Sequence, residues 1–92
     1  MNALERRWCD AVHSLESCVL CGQHGIQWAH SNEDRGMGQK AKPWNTAALC
    51  PECQTGIDNG RHLEQAERRA QMDRAIKRTH DKLIQSGRLR LT

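Results

Sequence analysis

The sequence predicts an α+β domain stapled by a metal ion, and three observations predict it. Two Cys-x2-Cys pairs, Cys18 with Cys21 and Cys50 with Cys53, supply four thiols from two short turns, the ligand number and pairing of a tetrahedral structural zinc site. Short apolar, β-compatible segments lie between the pairs, and helix formers with helical periodicity lie outside them. The chain has 92 residues, no Phe or Tyr and three Trp. So small a core buries little surface, and a metal staple is the expected compensation.

The elements follow in order. A helix is expected from residue 2 to about 17. Asn2 is a good N-cap, and Glu5 stands three residues on, the spacing of a capping box. Leu4, Trp8, Ala11 and Leu15 recur at steps of four, three and four, one apolar stripe facing the core. Cys9 falls in this helix, outside both pairs, and reads as a small buried hydrophobe. Residues 18–25 form a tight turn with glycines, as a zinc knuckle requires, and residues 26–30 a short strand. Residues 31–43 form a loop carrying Arg35-Gly36-Met37-Gly38, Lys40 and Lys42. Residues 44–49 form a second strand. Pro51 opens a helix directly after Cys50, because the first turn of a helix does not use the N–H that proline lacks. Asn59-Gly60 is a break. A long helix runs from 61 to about 86, stopped by Gly87. A knuckle, a hairpin and a second knuckle at the start of a helix give the layout of a treble-clef finger. The 28 residues between Cys21 and Cys50 leave room for the hairpin and its loop. A redox role for either pair would not need the other.

The expected organisation is one domain over 1–92, divided into an N-terminal helix (1–17), a zinc-stapled core (18–60) and a C-terminal helix with its tail (61–92). No apolar run is long enough for a membrane span or a signal peptide. Five cysteines, an odd number, argue against a secreted disulfide scaffold, so a reducing cytoplasm is expected. The net charge is +3, with ten Arg to four Lys. That surplus permits nucleic-acid binding, and the planar fork of arginine suits phosphate.

A second constellation lies between and beyond the cysteines. Fourteen residues separate His30 from Asn45, eight separate Asn45 from Gln54, and Asp58 follows four positions on, one helical turn away. With the cysteine pairs, these intervals resemble the HNH endonucleases, also called ββα-metal nucleases. The runs Ala29-His30-Ser31, Gly36-Met37-Gly38-Gln39-Lys40, Cys50-Pro51-Glu52-Cys53 and Gly56-Ile57-Asp58 look most like the small HNH-type proteins of lambdoid phages and prophages. The resemblance spans residues 18–62, about half the chain.

The resemblance implies a ββα-metal core and metal-dependent hydrolysis of DNA phosphodiesters, in phage recombination or DNA processing within a bacterial host cell. His30 would be the base, and Asn45 would orient it. A divalent cation, Mg2+ or Mn2+ with Ni2+ or Zn2+ as alternatives, would be held by Gln54, Asp58 and His62. The chain departs from the family at two positions. Gln54 stands where the family has histidine, and Ala29 where many members have aspartate. An inactivated variant, natural or engineered, would account for Gln54. So would replacement ligands such as His62, Glu33 or Asp34, or a protein that binds nucleic acid without cutting it.

Two basic regions are candidates for DNA contact: the loop with Arg35, Lys40 and Lys42, and a ridge of Arg74, Arg78 and Lys82 at steps of four on the last helix. The plainer alternative for that helix is a solvated, salt-bridged face, with Glu64 placed to pair with Arg68 and Asp73 with Lys77. The expected partner is DNA, without a membrane, and the chain is a monomer or a homodimer. Two other functions fit the residues: a zinc-stabilised nucleic-acid-binding module without catalysis, and a zinc scaffold that binds protein through its long helices.

Overall fold

A computed structural model describes residues 2–30, 44–58 and 64–88. Among them, three helices and one two-stranded sheet follow in the order α1 (Ala3–His13), β1 (Gln27–His30), β2 (Thr46–Leu49), α2 (Pro51–Asp58) and α3 (Gln65–Gln85). The protein is α+β, as expected.

The start of α1 is a capping box: Asn2 Oδ1 accepts the Glu5 N–H at 2.8 Å, and Asn2 Nδ2 donates to Glu5 Oε1 at 3.3 Å. The helix ends at His13, four residues short of the expectation. Ser14 turns its hydroxyl back to Ala11 O at 2.6 Å. Glu16 then adopts a left-handed φ of +65°, and Ser17 pairs with His24 in an isolated antiparallel bridge. The residues expected as the last helical turn instead launch the first cysteine turn. The apolar stripe holds for Trp8, Ala11 and Leu15, which lie in or against the core, and fails at Leu4. Val12 is fully buried and Ala11 nearly so, whereas Leu4 is 50% exposed.

Strands β1 and β2 pair antiparallel, with Gln27 opposite Leu49, Trp28 opposite Ala48, Ala29 opposite Ala47 and His30 opposite Thr46. All four residues of β2 are buried. Its small side chains let α3 lie against it, through Met72, Ala75, Thr79 and Leu83 at steps of three, four and four. The two threonines in this layer are satisfied: Trp28 Nε1 donates to Thr46 Oγ1 at 2.7 Å, and Thr79 Oγ1 accepts the Ala48 N–H at 3.1 Å. The last helix closes at Gly87, whose N–H reaches Ile84 O at 3.2 Å. The break at Asn59-Gly60 and the expected first residues of that helix, 61–63, lie outside the described residues.

Among the described residues, the fully buried apolar side chains are few, led by Leu49, Leu83 and Val12. Truncating one leaves a void that a core this small fills poorly. Leu83→Ala is expected to lower stability by about 3 kcal/mol, and Leu4→Ala by less than about 0.5 kcal/mol, in urea unfolding of the metal-loaded protein. Equal effects would contradict this account of the core.

Candidate metal centre

The first cysteine pair sits in a small hairpin. Below the Ser17–His24 bridge, Cys18 N–H reaches Gln23 O at 2.9 Å, Gly22 N–H reaches Cys18 O at 2.9 Å, and Gly25 N–H reaches Glu16 O at 2.8 Å. Gly22 and Gly25 have φ of +79° and +95°, a region that side-chain-bearing residues rarely adopt, so the turn closes this tightly only with glycine there. Val19 N–H bonds Ala48 O at 3.0 Å, which hangs the turn on β2. The second pair straddles the junction of β2 and α2. Cys50 follows the strand, and Cys53 lies in the first turn of the helix with its N–H on Cys50 Sγ at 3.4 Å.

These two turns bring four sulfurs together. The Sγ atoms of Cys18, Cys21, Cys50 and Cys53 all lie within 4.8 Å of one another, with Cys21 and Cys50 at 3.6 Å. A tetrahedron with metal–sulfur bonds of about 2.3 Å has sulfur–sulfur edges of about 3.8 Å, so the cluster has the dimensions of a site for a metal ion such as zinc. Among the described residues it is the one group of three or more His, Cys, Asp or Glu side chains so arranged.

The thiols do not ionise alike. Burial pushes the Cys18 thiol up, but hydrogen bonds from the backbone amides of Cys50, Cys21 and Leu20 and from the Cys21 side chain outweigh it, and bring Cys18 down to about 6. Burial drives Cys50 upward, with the neighbouring thiols of Cys21 and Cys18 adding to it against the opposing pull of Cys53. Burial and its three sulfur neighbours drive Cys53 upward. Cys18 thus ionises readily, whereas Cys50 and Cys53 resist it. A divalent cation removes that resistance, because it binds the deprotonated form of every ligand.

No family model, curated protein or solved structure matches the chain. The remaining candidates are therefore described residue by residue. His30 ends β1, half-buried, its ring 4.5 Å from that of Trp28 at 56°. Asn45, also half-buried, immediately precedes Thr46, the partner of His30 across the sheet. His30 and Asn45 thus share one end of the hairpin, and Cys50 follows the other. Gln54 is on α2, and its buried Oε1 accepts no hydrogen bond among the described residues. Asp58 is exposed at the end of α2, and its carbonyl receives Arg68 Nη1 at 3.5 Å. Arg74, Arg78 and Lys82 are exposed on α3, and Arg78 Nη1 donates to Val19 O at 3.2 Å. His62, Glu33, Asp34, Arg35, Lys40 and Lys42 lie outside the described residues.

Sequence reasoning missed several contacts. His80 Nε2 donates to the Trp44 carbonyl, and its ring meets Trp8 edge-on at 5.5 Å. His13 Nδ1 lies 2.9 Å from Cys9 O and 3.4 Å from Cys9 Sγ. The four-residue spacing of Cys9 and His13 signals their contact, but nothing in sequence signals a bond to Trp44, 36 residues from His80. Cys9 lies apart from the metal cluster, and burial, with Asp10 nearby, raises its thiol.

Iodoacetamide labelling followed by intact-mass measurement checks the cluster. The zinc-loaded protein is expected to take at most one adduct, on Cys9, and the chelated protein all five. Equal labelling of all five thiols in both states would contradict a shared metal site.

Proposed function

We propose that the chain is a zinc-stapled treble-clef domain of the HNH type that hydrolyses DNA phosphodiester bonds. One observation carries the proposal: the hairpin between the cysteine pairs sets His30 beside Asn45 at one end of the sheet, away from the four-sulfur cluster that follows the other. That is the division expected of a nuclease that separates its structural metal from its chemistry.

In this reading, His30 acts as the general base. A neutral imidazole at pH 7 can take a proton from the water that attacks phosphorus. The Trp28 ring packed against His30 limits its rotation, and Trp28 is itself anchored to Thr46. Asn45 orients the imidazole through its amide. A divalent ion would be held by Gln54 and Asp58, with His62 as a further ligand. The Gln54 Oε1 atom, buried without a hydrogen bond among the described residues, suits that role, and the amide and carboxylate oxygens of Gln54 and Asp58 suit Mg2+ or Mn2+ better than a softer metal. When bound, such an ion supplies electrostatic stabilisation of the charge on the leaving oxygen. The exposed cations Arg74, Arg78 and Lys82, with Arg35, Lys40 and Lys42 of the loop, would neutralise DNA phosphates. The likeness to prophage proteins supports a bacterial cytoplasmic setting and a role in phage recombination or DNA processing.

A second reading is a nucleic-acid-binding module without catalysis. Gln54 favours it, because a neutral amide oxygen is a weaker ligand than the histidine that the HNH pattern has there.

Nicking of supercoiled plasmid with magnesium, manganese or nickel tests the proposal on this chain, on Gln54→His and on Gln54→His combined with His30→Ala. Gln54→His is expected to cut, and the double variant to cut about 10²- to 10⁴-fold more slowly, the usual worth of a general base. If no variant cuts, the nuclease proposal fails. Salt-sensitive binding without cutting would favour the binding module.

A further inference from the structure

Three hydrogen bonds join the last helix to the first cysteine turn in a closed circuit. Thr79, fully buried on α3, accepts the Ala48 N–H at 3.1 Å while its hydroxyl donates to Ala75 O at 2.7 Å. Ala48 offers its carbonyl to Val19 N–H at 3.0 Å. Val19 offers its own carbonyl to Arg78 Nη1 at 3.2 Å. Arg78 and Thr79 are neighbours in the chain, so the circuit closes on α3.

The positions of the linked residues give the circuit a consequence. Val19 lies between Cys18 and Cys21, and Ala48 stands two residues before Cys50. The circuit therefore sets the two cysteine pairs against each other. Two of its three links are held by buried backbone and by Thr79. The third depends on one surface side chain, 59 residues from the turn that it grips. That side chain is a cation. Four thiolates around a divalent ion carry a net charge of −2, which a guanidinium at the edge of the turn opposes.

We propose that Arg78 is a positioning residue for the metal: its hold on the Val19 carbonyl presents Cys18 and Cys21 to an ion also bound by Cys50 and Cys53. This role rests on the reading that the four cysteines hold a metal. Groups that orient ligands from outside the coordination sphere typically change metal affinity 10- to 100-fold.

The test measures zinc affinity by competition with a chromogenic chelator at fixed pH, without nucleic acid, on the full chain and three variants. Arg78→Ala is expected to bind about tenfold more weakly, and Arg78→Lys to recover part of the loss. Lys77→Ala, which removes the same charge one residue away, is expected to bind as the parent does. Alkylation of the zinc-loaded Arg78→Ala protein supplies the second readout, with Cys18 and Cys21 expected to react ahead of Cys50 and Cys53. Unchanged affinity in Arg78→Ala would overturn the proposal. So would an equal loss in Lys77→Ala, which would mark a general charge effect, or equal acceleration of all four thiols, which would mark general loosening. A parent chain that binds no zinc would overturn the metal reading itself, and this role with it.

Discussion

The rest of this fold is built around the junction of two turns that lie far apart in the chain. Cys21 and Cys50 are 29 positions apart, yet their sulfurs lie 3.6 Å from each other. A loop of that length costs several kcal/mol to close, and the core that would offset the cost has few large side chains that are fully buried. Nor do the converging thiols ionise alike. Cys18 ionises easily, while Cys50 and Cys53 are pushed the other way. A divalent cation would bind the deprotonated form of all four thiols and cross-link the two turns.

The rest of the fold is organised around that junction. Strand β2 leads into Cys50, and α2 begins immediately after it, so the second pair inherits its position from a fully buried strand. The first pair is hung on the same strand through Val19 and Ala48, and α3 clasps both. The proposed catalytic residues occupy the opposite end of the hairpin. This arrangement would leave His30 and Asn45 free to vary in chemistry without disturbing the staple, and would let the staple hold their spacing.

Much of this architecture was legible in the sequence because it rests on local rules. The cysteine spacing picked out the four sulfurs that converge, Asn2 with Glu5 named the start of α1, and Pro51 named the start of α2. The sequence failed where a distant partner decided the outcome. Helical periodicity carried α1 to residue 17, but Glu16 turns left-handed so that Ser17 can meet His24. The stripe through Leu4 followed from spacing alone; Trp8, Ala11 and Leu15 do face the core, but Leu4 is exposed and Val12 is buried in its stead. Nothing in the sequence marks Thr79, whose buried bond to Ala48 depends on a strand 31 positions away. At the candidate site the same division holds. The intervals from His30 to Asp58 can be counted, but the packing of His30 on Trp28 and the buried oxygen of Gln54 arise only from folding.

The central claim is that a metal bound by Cys18, Cys21, Cys50 and Cys53 holds the fold. The most direct test is thermal unfolding followed by circular dichroism, on purified protein whose zinc content is measured before and after chelation. The account predicts one zinc per chain and a cooperative transition that disappears when zinc is removed and returns when it is restored. A metal-free chain that melts with the same cooperativity at the same temperature would contradict it.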